Sequence, residues 1–126
     1  MLRRWLREPR GTLSVAVLDD ELAALFGAKS RTVYLSAATM AKQKRNHPEL
    51  DAEEYALLPD VIARGEVIQQ GGLRLVFFLS HTRLMKAVLK STRQRDELYV
   101  VSYQRANERE RIRLRRRGQI LRKELT

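Results

Sequence analysis

At Gly65 the chain changes its hydrophobic period, from short helical spacings before it to strand-like alternation after it. Glu66–Gln70, the pair Gly71-Gly72 and Leu73–Leu79 read as a strand, a tight turn and a second strand. Leu73, Leu75, Phe77 and Leu79 share one face of that second strand, and Ser80–Thr82 make the next turn. Leu84–Thr92 and Leu98–Arg105 are two more strands, joined by a polar loop at Arg93–Asp96. This half of the chain therefore reads as an antiparallel meander of about four strands.

The half before Gly65 is punctuated differently. Leu13–Leu18 is a short strand or buried segment. Asp19 and Asp20 cap a helix over Glu21–Phe26, which Gly27 stops. Thr32–Leu35 is a short extended piece, and Ser36 caps a helix from Ala37 to about Asn46. Pro48 disfavours helical geometry at His47 and ends that helix. Asp51 with Glu54 is a capping-box pattern. The helix it opens carries Tyr55, Leu58 and Ile62 on one side, is kinked or split by Pro59, and closes at Gly65. From Asn107 onward the chain reads as a charged helix with Ile112, Leu114, Ile120 and Leu121 as its few apolar positions. The expected class is α+β, with N-terminal helices packed on a roughly four-stranded antiparallel sheet and a basic C-terminal helix. The expected organisation is a basic segment over 1–10, one domain over 11–106, and an Arg-rich helix or tail over 107–126.

Composition narrows the function classes. With 126 residues, 44% of them hydrophobic, the chain builds one core. Cysteine is absent, which excludes disulfides, thiolate zinc sites and thiol nucleophiles. The longest apolar run, Leu75–Leu79, is far too short to cross a bilayer, and no apolar signal segment follows the basic start, so a cytoplasmic protein is expected. Leu2, Trp5 and Leu6 on a ten-residue basic segment would give only marginal membrane binding, so no membrane partner is expected.

Charge points to a polyanion. The net charge is +10, carried as +3 in residues 1–10, +1 in 11–104 and +7 in 105–123, with Glu124 subtracting one. Within the near-neutral middle, Lys29–Arg45 and Arg83–Arg95 each hold five basic residues and no acid, while Glu49–Glu66 holds six acids and only Arg64. If the two basic stretches meet, they form a positive cleft; each one alone is read as a solvated face.

Enzyme candidates are few. The two histidines, His47 and His81, have no metal-ligand spacing, and no phosphate-cradling glycine loop exists, so no metal or cofactor is expected. His47 follows Lys42, Lys44 and Arg45 at a helix C-terminus, where a histidine is a candidate acid/base group or simply a cap. Alternation puts Lys86, Lys90 and Thr92 on one face of their strand around Val88, where the ammonium groups would hold phosphates or just face water. In the next strand Ser102 and Gln104 alternate with Tyr99, Val101 and Tyr103. Arg115–Arg117 is a run that any nucleic-acid phosphate attracts.

The run Arg45-Asn46-His47-Pro48-Glu49, then Tyr55 and Leu58-Pro59 with Val61-Ile62, resembles the phage-associated branch of the barnase/EndoU/colicin/RelE-like (BECR) nucleases. So do Lys86–Thr92 and Glu97–Tyr103. The resemblance spans about Leu13 to Arg105. It implies helices on a four-stranded antiparallel sheet with the cleft on the open sheet face, and metal-independent ribonuclease activity. It implies His47 as general base or acid, Lys90 stabilising the phosphorane-like transition state, and Ser102 bonding a phosphate oxygen. Lys44, Lys86, Thr92, Tyr103 and Arg105 would bind substrate. The expected partner is RNA, or DNA bound but uncut, with an acidic antitoxin or immunity protein or phage head proteins beside it. A virion-associated, non-catalytic assembly protein and a ribosome-dependent mRNA-cleaving toxin are the alternatives.

Overall fold

The expected caps and stops recur in the computed structural model, which describes residues 2–125. Met1 and Thr126, the outermost residues of the two basic segments, lie outside the described residues. Helix α1 (Leu2–Arg7) precedes strand β1 (Thr12–Val17). The Asp19 side chain then accepts from Leu22 N and opens α2 (Asp20–Phe26), which ends at Gly27 in the left-handed region (φ 80°). Strand β2 (Thr32–Ser36) runs directly into α3 (Ala37–Asn46), capped by Ser36 through Thr39 N and ended at His47. The Asp51/Glu54 capping box is complete at α4 (Ala52–Ala56). Pro59 splits this region, as expected, because it is tolerated only in the first turn of α5 (Leu58–Arg64).

After Gly65 come β3 (Glu66–Gln70), β4 (Arg74–Ser80), β5 (Leu84–Ser91) and β6 (Leu98–Arg105), then α6 (Glu108–Arg117) and β7 (Gln119–Arg122). The meander is present: β3, β4, β5 and β6 pair antiparallel in sequence order. It is the middle of a larger object. The sheet has seven strands in the order β1-β2-β6-β5-β4-β3-β7 and is mixed, because β2 runs parallel to β6. The expectation of about four antiparallel strands is corrected to that extent, within the α+β class. The sheet is extended on both sides by segments far away in the sequence: β1 and β2 on the β6 side, and β7 on β3.

Residues of β1–β6 pack with Leu22, Phe26, Met40, Tyr55, Leu58, Val61 and Ile62 of helices α2–α5 in one core. Leu2, Trp5 and Leu6 turn inward onto it, so the apolar side of α1 is used in packing. The opposite, outer sheet face has a smaller cluster of Ile68, Val76, Phe78 and Val88, against which Leu114 of α6 packs. β4 is thus buried on both faces, which is why it reads as an unbroken apolar run.

The segment after residue 106 is integrated into the sheet. Arg122 bonds the Ile62 and Gly65 carbonyls at the end of α5 and reaches Asp19 Oδ2 at 2.9 Å. A guanidinium is favoured there by the negative pole of α5 as well as by Asp19. Gly118 permits the contact between α6 and β3: a Cβ on it would lie 2.5 Å from Ile68 Cγ2 and 2.7 Å from Gln69 O.

Candidate nucleic-acid interface

The arginines of α6 divide by helical face. Arg111 and Arg115 turn toward the sheet and are neutralised there. Arg115 Nε donates to Glu66 Oε2 at 2.7 Å, and that bond raises the Arg115 pKa. Arg111 lies against Glu66, Glu108 and Glu124. Glu66 is 3% exposed, so α6 is held down by a buried carboxylate. Arg109, Arg113, Arg116 and Arg117 face outward around exposed Ile112 and form a shallow groove. These four have no ionic partner among the described residues.

Between α6 and the central strands runs a second groove, lined by Arg74, Val76, Lys86, Val88, Glu110 and Arg113. Lys86 is closed off by a short ion pair to Glu110, its side chain only 13% exposed. Lys90 is exposed and stands opposite Arg74 on β4 and Tyr99 on β6. Neither Lys90 nor Arg74 has an ionic partner among the described residues. Ser102 is half-buried opposite Val88, on the same outer face as Lys90. Alternation therefore placed Lys86 and Lys90 together correctly.

The tyrosines of β6 are where alternation failed. The register slips by one between Val88 and Leu89, leaving Val101 as an extra, exposed residue on β6. One extra residue inverts the faces beyond it. Tyr99 is consequently outer, beside Tyr34 of β2 with ring centroids 5.8 Å apart, while Tyr103 is in the core at 1% exposure. The Tyr103 hydroxyl donates to Glu54 O, and burial pushes its pKa well above the ordinary range, so it does not bind substrate.

Several other expected ligands have structural work. Arg105 makes a two-pronged bond to Glu54, at 2.6 and 2.8 Å, and also bonds Glu49 O. The Thr92 hydroxyl binds Asp96 and receives Glu97 N, closing the β5–β6 loop. Lys44 donates to Leu6 O of α1 at 3.2 Å. Arg95, from the second basic stretch, ties that same loop to Phe26 O and Gly72 O.

His47 follows α3, which lies along the edge of β6. Its Nδ1 is 3.4 Å from Glu49 Oε2. That places it by the Arg105 end of β6, since Arg105 bonds Glu49 O, whereas Lys90 pairs with Tyr99 at the other end. Five steps along β5, from Met85 opposite Arg105 to Lys90 opposite Tyr99, separate these ends, roughly 17 Å. His47 and Lys90 do not converge on one phosphate group in this arrangement. His81 lies in the β4–β5 turn, in a hollow that mixes Arg83 and Arg105 with Asp51, Glu53 and Glu54.

No family model, curated protein or solved structure matches the chain. Among the described residues no group of three His, Asp or Glu side chains is placed to hold a metal ion, and no helix is long and apolar enough to cross a membrane. Sequence reasoning missed Tyr34 and Arg74 as members of the outer face. The available signal was their position: each occupies the non-core phase of its strand, between residues that alternation sends inward.

Proposed function

We propose that the protein binds RNA across the outer face of its sheet and is the metal-independent ribonuclease that the resemblance implies. The observation that carries the binding is the division of the α6 arginines. Two are neutralised against the sheet, while four project outward without ionic partners among the described residues. Unpaired cations on one face displace the counterions condensed on nucleic-acid phosphates, which favours binding. The cleavage reading is supported by Lys90 and Ser102 sharing that face at the centre of an antiparallel meander. In it, the RNA 2′-hydroxyl gives its proton to water and attacks the adjacent phosphate, the P–O5′ bond breaks and the 5′-oxygen leaves with a proton from water, while Lys90 stabilises the added charge and Ser102 bonds a phosphate oxygen. His47, at the Arg105 end of β6, is out of reach of that phosphate and takes no part in this step.

A second reading, non-catalytic binding during assembly, is favoured by the separation of His47 from Lys90 and by the Glu110 clamp on Lys86. One experiment decides between them. Purified protein is incubated with labelled RNA and matched DNA in EDTA, beside His47→Ala, Lys90→Ala and Ser102→Ala. RNA-only cleavage leaving cyclic phosphate ends, lost in Lys90→Ala and Ser102→Ala and kept in His47→Ala, is the expected result. Binding without cleavage selects the second reading, and neither binding nor cleavage refutes both.

A further inference from the structure

We infer that the outer face is selective for single-stranded nucleic acid, with Tyr34 and Tyr99 as a base-stacking platform and Lys90, Arg74 and Arg113 as the phosphate rail beside it. This rests on the nucleic-acid reading above and names the form of strand it takes. Four observations combine. Tyr34 and Tyr99 are directly paired across β2 and β6, half-buried, with rings tilted by 39°. No helix among the described residues covers them, because α6 packs over Ile68, Val76, Phe78 and Val88 on the other half of the face. Lys90 is the β5 residue opposite Tyr99, and Arg74 is the β4 residue opposite Lys90. Arg113 lines the groove that continues from Arg74 along α6.

The alignment is therefore aromatic, aromatic, ammonium, guanidinium across four adjacent strands, then a further guanidinium. A single strand presents both a row of phosphates and free base faces, which such a row satisfies together. A duplex hides its base faces and offers only phosphates. Two acids, Asp96 and Glu97, lie near Tyr99, and Glu97 accepts the Tyr99 hydroxyl at 3.0 Å. That bond holds the phenol, raises its pKa and leaves the ring face available.

The test uses the full chain and probes that resist 2′-hydroxyl attack. Binding is measured for a labelled 12-nucleotide 2′-O-methyl adenosine strand, an abasic strand of equal length and charge, and a 12-base-pair duplex. Single-stranded adenosine is expected to bind about tenfold or more tighter than the abasic strand, the worth of one or two stacked bases. Tyr34→Leu and Tyr99→Leu remove that advantage without weakening the abasic strand, and Tyr99→Phe keeps it. Arg74→Ala and Lys90→Ala weaken both strands and each lowers the salt slope by about 0.7. Equal affinity for the base-bearing and abasic strands, or preference for the duplex, overturns the platform while leaving nucleic-acid binding standing. This comparison needs only the unmodified protein. Failure of every probe to bind overturns the nucleic-acid reading itself, and the platform with it.

Discussion

The Gln43 side-chain amide forms a reciprocal hydrogen-bond pair with the backbone of Tyr103: Tyr103 N donates to Oε1 at 3.0 Å, and Nε2 donates to Tyr103 O at 2.5 Å. It stands in for a missing strand. β2 pairs with β6 only at Val33 and Tyr34 before turning into α3, so the rest of this edge of β6 lacks a β2 partner. α3 lies along that edge and places a buried amide against it. The link is sequence to topology: a glutamine in an otherwise polar helix lets a strand end without leaving its backbone unsatisfied.

Gln43→Ala removes a donor and an acceptor at once and strands two buried backbone groups. The expected loss is about 3 kcal/mol in urea denaturation at pH 7. Lys42→Ala, exposed on the same helix, should change stability by less than about 0.5 kcal/mol. Equal losses in the two variants would show that Tyr103 does not depend on the amide.

The Glu54–Arg105 pair sets an acid limit to stability. Hydrogen bonding from Arg105 holds the Glu54 carboxyl below its ordinary value, against the opposing effect of burial. The folded protein therefore binds this proton less tightly than the unfolded chain. Its contribution is complete above the unfolded carboxylate pKa, about 4.3, and is lost as pH falls through the lower folded value. Arg105→Ala should cost about 2 kcal/mol at pH 7 and flatten the stability profile between about pH 5 and pH 3. It should leave RNA affinity unchanged once folding is corrected for.

Gly118→Ala drives a methyl group into Ile68 and the Gln69 carbonyl. Overpacking of this kind costs about 2 kcal/mol. Hydrogen exchange should accelerate first at Ile68, Gln69 and β7, and later in β5 and β6, whose partners are untouched. Uniform acceleration across the sheet would show that α6 and β7 are not a separately released unit.

The outward arginines are expected to act on binding alone. Replacing Arg109, Arg113 and Arg116 together by Gln removes three positive charges from the ridge and no ion pair described above. The slope of log affinity for single-stranded RNA against log salt should fall by about 2. Stability should change by less than about 0.5 kcal/mol. Arg115→Gln is the contrast, because it breaks the Glu66 anchor and should be read in stability.

Much of the fold was legible because its signals are local. The caps at Asp19, Ser36 and Asp51 and the bounds of β6 follow from residues a turn or a strand apart. The enlarged sheet was not legible, because the pairing of β2 with β6 and of β3 with β7 joins residues far apart in sequence. Gln119–Arg122 also carries only two apolar residues, too few to show a period. At the candidate site, faces were readable and partners were not. Alternation put Lys86 and Lys90 together, yet nothing in β5 foretells that Glu110 reaches only the former. Tyr103 was misassigned for a different reason: the bulge at Val101 has no glycine to announce it.

The docking of β7 on β3 also has a consequence in time. Ile68 meets its partner Ile120 only after about 50 further residues have been synthesised, an interval of roughly 3–10 s during translation. Until then Phe78, Val76 and Ile68 are bare on one side and β3 is an open edge. The nascent chain is thus most adhesive just before α6 and β7 emerge, and these same residues, in a segment of net charge +7 over 105–123, close the hydrophobic face.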